Sequence, residues 1–367
     1  MKSTLSTLAF AILATSVAAQ GQFNAAAFPP LNAVPPIDSP EMKEWLKGLN
    51  FDDVPKWTPH KGNPPTCAAN SPILPERCWW PCQGCANTDH ENCPNPGDWG
   101  ITFDDGPTPQ TIPLLATLKE HKIKATFFVM GTNVVQNPEI LKKEVEDGHH
   151  IASHTWSHHA LTTLKNEEIV AEIKWAEKAV QDITGHQMKY VRPPYGDIDD
   201  RVRVILKKLG YTVVDWTSDA YDSKDFGLNS PLAAKDVVTA AVTKMATTLN
   251  TYAANPASNN NKGVITLQHD LYNVTIDFAQ QLLKQVTAVG EGKLRPMSVA
   301  DCLGDKTPYQ NSPPPSAQPS SGAGGNGTTG GGKGPNGGKG SGASGLSVSS
   351  GMMMAALALV GTAFAAL

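Results

Sequence analysis

The sequence has 367 residues, a formal net charge of -4 and a pI of about 6.2. No lysine or arginine cluster stands out, so neither nucleic acid nor an anionic membrane surface is an indicated partner. Both ends read as processing signals, which leaves room for one large domain with appendages.

Residues 1–19 carry Met1-Lys2, an apolar run through Leu8 to Leu13, and small residues at Val17-Ala18-Ala19, the layout of a secretory signal peptide. Residues 20–97 are rich in proline and loop formers, and only Glu41 to Leu49 suggests a short helix. This stretch is an extension without the periodicity of an independent core. Six cysteines in a secreted chain imply a disulfide framework. Cys67, Cys78, Cys82, Cys85 and Cys93 lie in the extension, and Cys302 stands alone far downstream. If all pair within the chain, Cys302 must bond back to one of those five, thereby tying the extension to the end of the next domain. The spacing does not choose its partner. Cys82-x-x-Cys85 alone also fits zinc or thiol redox chemistry, which an oxidising compartment disfavours. Trp79 and Trp80 can either pack under the loops or stack on sugar rings.

Residues 98–305 alternate short apolar runs with helical patterns. The runs are Gly100 to Phe103, Ala125 to Met130, Ile151 to Ser153, Lys189 to Val191, Tyr211 to Trp216, Val264 to Gln268 and Pro296 to Val299. Among the helices, Asn166 is a candidate cap for one whose apolar positions Ile169, Ile173, Ala176, Val180 and Ile183 keep the helical period, with Gly185 at its end. Gly148 and Gly210 suit the ends of neighbouring helices. The alternation predicts an α/β fold, a distorted and incomplete (β/α) barrel of about seven strands with a disulfide-tied N-terminal extension. A doubly wound open sheet is the alternative.

Notable polar groups fall at or just past the ends of these runs: Asp104 and Asp105, His154 and His158, Arg192, Asp219, and His269. In a barrel those ends converge on one face. Two adjacent aspartates before Gly106-Pro107 can be a simple turn, since all four residue types favour one. They can equally divide a metal site between them, one ligating and the other taking a proton from water. His154 and His158, four apart, point the same way from one helical turn or a tight loop, and Asp/His/His with an open position is a form of catalytic zinc site. His149, His150 and His159 surround them and warn that not every histidine ligates. His269 ends the run Val264 to Gln268; it can be a core histidine, or a proton donor whose charged form a carboxylate such as Asp219 would favour. Arg192 before Pro193-Pro194 can orient Asp104 or pair with another carboxylate.

Residues 306–345 turn into Pro and then Gly/Ser sequence, a flexible tether. Asn273-Val274-Thr275 and Asn326-Gly327-Thr328 are N-glycan sequons. Residues 346–367 end in an uncharged apolar stretch preceded by small residues around Asn336 or Ser341-Gly342-Ala343, the pattern of a GPI-anchor signal that is removed. A transmembrane helix is the alternative, but the run falls short of the roughly 18 to 20 residues a span needs, and no positive flank follows.

Taken together, the motifs resemble the polysaccharide deacetylase (NodB homology) domain of carbohydrate esterase family 4, over about Asp98 to Gly304, and the secreted, anchored layout is similar to that of fungal chitin deacetylases. Thr102-Phe103-Asp104-Asp105-Gly106-Pro107 matches the first motif, so the resemblance implies Asp104 as base and Asp105 as metal ligand. His154-Thr155-Trp156-Ser157-His158 matches the second, implying both histidines as ligands. Arg192-Pro193-Pro194-Tyr195-Gly196 matches the third, with Arg192 orienting Asp104 and the Tyr195 N–H facing the oxyanion. Leu267-Gln268-His269 matches the fifth, with His269 as general acid and Leu267 in the acetyl-methyl pocket. Asp215-Trp216-Thr217-Ser218-Asp219-Ala220-Tyr221-Asp222 matches the fourth incompletely, because Ser223 replaces the usual second tryptophan; Asp219 is the favoured partner of His269 and Trp216 a wall of the groove.

The resemblance implies metal-dependent removal of N-acetyl groups from chitin, with zinc as the default ion and cobalt as another, by a monomer that is secreted and GPI-anchored at the plasma membrane or in the cell wall. The rival readings are a non-catalytic metal-containing chitin-binding wall protein, a deacetylase of peptidoglycan or acetylxylan, and a non-haem iron oxygenase, since two histidines and a carboxylate also serve iron.

Overall fold

Parallel strands covered on both faces need nearly continuous apolar sequence, and the seven runs supply it. The computed structural model describes residues 23–67, 77–86, 88–217 and 234–312. The leader, Asp219, Asn326 and the apolar tail lie outside them. Nine short strands fall within or beside the runs: β1 (Asp98–Gly100), β2 (Thr102–Asp104), β3 (Thr126–Val129), β4 (His150–Ser153), β5 (Tyr190–Val191), β6 (Thr212–Val213), β7 (Val264–Ile265), β8 (Gln268–His269) and β9 (Arg295–Met297). Only Ile101 separates β1 from β2, and only Thr266-Leu267 separates β7 from β8, so each pair belongs to a single run.

Among the described residues every ladder between these strands is parallel. One sheet has the order β6-β5-β4-β3-β2-β8 and the other β7-β1-β9. The order follows the sequence from β2 to β6, and the late β7/β8 run returns beside β1/β2, as in a barrel wound in one direction. The connecting helices include α3 (Thr111–Glu120), α4 (Gly131–Gln136), α5 (Pro138–Glu146), α6 (Asn166–Thr184), α7 (Asp200–Lys208), α8 (Lys235–Ala254) and α9 (Asn273–Gln285), once the extension's α1 (Pro40–Leu46) and α2 (Trp80–Gln83) are counted. None of the helices among the described residues is long and apolar enough to cross a membrane.

The expected face of α6 is the buried one: Ile169, Ile173, Ala176, Val180 and Ile183 all sit in the core. Each of the four branched side chains among them contributes about 1.5–3 kcal/mol by leaving water. Gly185 takes the left-handed cap (φ 77°), and Gly148 and Gly210 follow α5 and α7 at φ 78° and 80°. Asn166 is not the cap. Lys165 holds that position, and Asn166 is the first helical residue, its Oδ1 accepting from Arg201 Nη1 at 3.0 Å, so a tertiary contact takes the oxygen that a cap would use.

Between β6 and β8, at opposite edges of the six-stranded sheet, no ladder forms among the described residues. The extension fills this gap. His90 N–H donates to Val213 C=O (3.0 Å) and Asp215 N–H to His90 C=O (2.9 Å), adding His90 to the β6 edge. Gly263 N–H then donates to Cys93 C=O (3.0 Å) just before β7, and Thr217 N–H reaches Ile265 C=O (3.0 Å). Cys93 is the partner of Cys302, while Cys67 pairs with Cys82 and Cys78 with Cys85. With both cysteines of the Cys82-x-x-Cys85 pair in separate bridges, the metal and redox alternatives for it fall away. Upstream, α1 begins after Ser39, which caps Met42 N–H at 3.1 Å, and lays Trp45 edge-on against Trp175 of α6 at 5.0 Å. At the other end the packed chain runs past residue 305. Tyr309 pairs with Met188 and stacks on His186 at 4.1 Å, and Gln310 N–H donates to Gln187 C=O at 2.8 Å. Residues 306–312 therefore belong to the domain rather than to the tether.

Candidate active site

Asp104 is the last residue of β2 and is buried; Asp105 follows it in the left-handed region (φ 75°), which sends the two carboxylates different ways. The next position must be glycine, because a Cβ on Gly106 would lie 2.2 Å from Asp270 Oδ2. The turn reading of Asp104–Pro107 and the functional one are thus the same geometry. Past β4, Thr155 (φ 69°) and His158 (φ 60°) are also left-handed, and so is Tyr195 (φ 61°) past β5. Four non-glycine residues in a sparsely populated region, gathered at one mouth, mark backbone held under strain by its surroundings.

Asp105 Oδ1 lies 3.4 Å from His154 Nε2 and 3.3 Å from His158 Nε2. A tetrahedral ion with ligands at about 2.0–2.1 Å requires donor atoms about 3.3–3.4 Å apart. Both edges from Asp105 fit that length, all three ligand atoms lie within 4.8 Å of one another, and Asp105 Oδ1 is buried without a hydrogen-bond partner, which suits a ligand atom. His154 Nδ1 lies 2.7 Å from Arg192 C=O, and as its donor leaves the Nε2 lone pair facing Asp105. Burial, then the neighbouring His158, lowers His154 to about 3, and burial lowers His158 as well, so both imidazoles favour the neutral form that ligates. Burial pushes Asp105 up, but the surrounding His158, His269 and His154 hold it below its ordinary value.

Asp104 stays out of this trio. Its Oδ1 accepts from Arg192 Nη1 at 2.8 Å, and the same nitrogen donates to Thr102 Oγ1 at 2.6 Å. Arg192 is fully buried and also donates to the backbone oxygens of Val214 and Asp215, at 3.2 and 2.9 Å, so its fork cannot swing. Burial pushes the Asp104 carboxyl up to about 6 against the pull of Arg192 and His269. His269, half-buried, faces Asp104 across the β2–β8 register. Leu267 is buried just before it, and Tyr195 is 43% exposed with its ring edge-on to His158 at 4.6 Å. Trp216 lies under the same rim, 5.9 Å from the Arg192 guanidinium. Asp219 falls outside the described residues, so its pairing with His269 stays an expectation. The other histidines are structural: His149 Nδ1 accepts from Ala125 N–H, His150 packs on Tyr190 and Tyr309, and His159 meets Ser157 Oγ at 2.8 Å. Asn273 of the first sequon is exposed at the start of α9.

The sequence pattern of the family described as polysaccharide deacetylase matches residues 91–214. Chitin deacetylase 1 of Saccharomyces cerevisiae is 36% identical over 279 residues, 76% of this chain and 82% of that protein. The chain belongs to the polysaccharide deacetylase family. Chitin deacetylase 1 of Cryptococcus neoformans var. grubii is 42% identical over 284 residues, and the chain spans 59% of its length. Among solved structures, the chitin deacetylase of the fungal pathogen Colletotrichum lindemuthianum superposes with a TM-score of 0.52 at 28% identity, covering 62% of this chain and 96% of that one.

Sequence reasoning missed two carboxylates that build this site. Glu172 of α6 is buried and accepts from the N–H groups of Trp156 (2.9 Å) and Ser157 (2.8 Å) and from Ser157 Oγ (2.5 Å), clamping the loop between the two histidines. Its signal was an acid on the apolar face, three residues after Ile169. Asp270 locks the Gly106 turn from behind, its N–H donating to Asp104 C=O at 3.2 Å and Thr111 Oγ1 donating to its carboxylate. Nothing in the sequence singles it out from His269 beside it.

Proposed function

We propose that the chain is a chitin deacetylase that hydrolyses the N-acetyl groups of N-acetylglucosamine units, giving chitosan and acetate in cell-wall remodelling. The observation that carries this reading is the split between neighbours: Asp105 joins two imidazoles at ion-binding spacing while Asp104 is kept apart on Arg192. A purely ion-binding or wall-binding protein has no use for a separately buried base, and the names of the fungal relatives point to chitin.

A divalent ion held by Asp105, His154 and His158, with zinc the expected species and cobalt a substitute, would supply Lewis acidity toward an amide carbonyl and toward water. Asp104 takes the proton of the attacking water, and Arg192 keeps its carboxylate aimed. The Tyr195 N–H faces the developing oxyanion, and Leu267 walls the acetyl methyl. His269 gives a proton to the departing amine, so that amide and water end as acetate and a free amino group. The cysteine pairs, the signal-like start and the apolar tail support a secreted, GPI-anchored protein, and the exposed Asn273 supports glycosylation there.

The test measures acetate release from chitin oligomers by purified protein, with and without chelator, and with Asp104→Asn. Release is expected from the metal-loaded protein alone, with metal content near normal in the variant. Undiminished release by Asp104→Asn would sink the assignment, and parallel assays on peptidoglycan and acetylxylan rank the substrates.

A further inference from the structure

Two tryptophans of different origin meet at the rim. Trp216 follows β6 of the barrel, whereas Trp80 comes from α2 in the disulfide-tied extension. Their rings stand edge to face, 4.6 Å between centroids with planes at 69°, and both are half-buried. Neighbouring Trp79 shows what a structural tryptophan does here: it is buried, stacked on His60 at 4.0 Å, and its Nε1–H donates to Asp197 Oδ1 at 2.8 Å.

Trp80 is anchored as firmly, yet part of its surface is open. Its backbone N–H donates to Ile198 C=O at 3.0 Å and its indole N–H to Glu91 Oε1 at 2.7 Å. Cys78 and Cys82 on either side of it are both in disulfides. A Cβ on Gly196 would come within 2.4 Å of the Trp80 ring and 3.0 Å of Trp216, so both rings press on the loop that carries Tyr195. Contacts therefore run outward without a break from Asp104 through Arg192 and Trp216 to Trp80.

A rigid indole with one polar edge already satisfied offers a flat apolar face at little entropic cost, which suits the C–H face of a pyranose ring. A polymer presenting one acetamide to the catalytic residues must lay its neighbouring units along the rim. We propose that Trp80, with Trp216, forms a stacking platform for a sugar unit beyond the reacting one and its immediate neighbour, so that the extension takes part in recognising chain length. This rests on the chitin deacetylase reading above.

The test compares Trp80→Ala and Trp80→Phe with the parent, as metal-loaded full chains, on the dimer and the hexamer of N-acetylglucosamine. It adds calorimetric titration of hexamer into Asp104→Asn with and without Trp80→Ala. For Trp80→Ala the hexamer KM should rise roughly twofold to tenfold with kcat held, the dimer constants should not move, and Trp80→Phe should recover most of the loss. Equal loss on dimer and hexamer, a fall in kcat alone, or no change would overturn the platform. Where Trp80→Ala does not fold, Trp80→Leu keeps bulk without the flat face and is read by the same criteria. If the parent releases no acetate, the deacetylase reading fails by itself and the titration decides: weaker hexamer binding without the indole supports the platform, and equal binding refutes it.

Discussion

Asp104 and Asp105 are adjacent in sequence and opposite in surroundings. Arg192 grips one through a charge-assisted bond, and two imidazoles border the other. Burial sets Asp104 near 6, and a base works only when ionised, so kcat/KM should fall on the acid side of about pH 6, tenfold per pH unit. A bound dication adds positive charge and moves that limb lower. An acid limb centred above pH 7 in the pH profile of kcat/KM would exclude Asp104 as the base. The residues that the structure gathers around Asp105 and Arg192 were legible because their types are costly at strand ends unless partnered. Glu172 and Asp270 were less so, since they act on backbone N–H groups and on a turn, partners that no sequence spacing displays.

At the scale of elements, alternation of apolar runs with helical periods was enough to place the strands, because buried parallel strands leave that mark. Helix starts were not, as Lys165 and Asn166 show: which side chain caps depends on what else can bond it. The loop from β4 to His158 turns at two left-handed residues, Thr155 and His158, and one helix-borne carboxylate holds Trp156 and Ser157 between them. Glu172→Ala should strand two buried N–H groups and a hydroxyl, destabilising the protein by about 1–3 kcal/mol and weakening metal affinity by about 10–100-fold. Glu172→Gln keeps an acceptor oxygen and should lose far less of both. Thermal unfolding of the metal-free protein and chelator competition measure the two effects; unchanged affinity in Glu172→Ala would remove the loop from the ion's support.

For the molecule as a whole, the cysteine count required Cys302 to reach back, but only the fold selects Cys93. The selection is made by the gap between β6 and β8, because the segment that fills it brings Cys93 beside the last helix of the domain, Val299–Cys302. The bridge closes a loop with a sequence separation of 209. Chain entropy puts its worth at about 5 kcal/mol, so Cys302→Ser should lose about 3–5 kcal/mol by urea denaturation. A loss below about 1 kcal/mol would mean that the gap-filling segment holds without its bond.

All nine strands of the described residues, from Asp98 to Met297, lie between Cys93 and Cys302. Tension carried along the covalent chain past the pair passes through one sulfur–sulfur bond rather than through the strands, once the contacts of α1, His90 and Tyr309 outside the pair have given way. Were that bond reduced, the same pull would run through every strand and could draw out roughly 700 Å of chain. With the bond intact, the segment that carries Asp104, Asp105, His154, His158, Arg192 and His269 stays slack while the chain outside the pair is stretched.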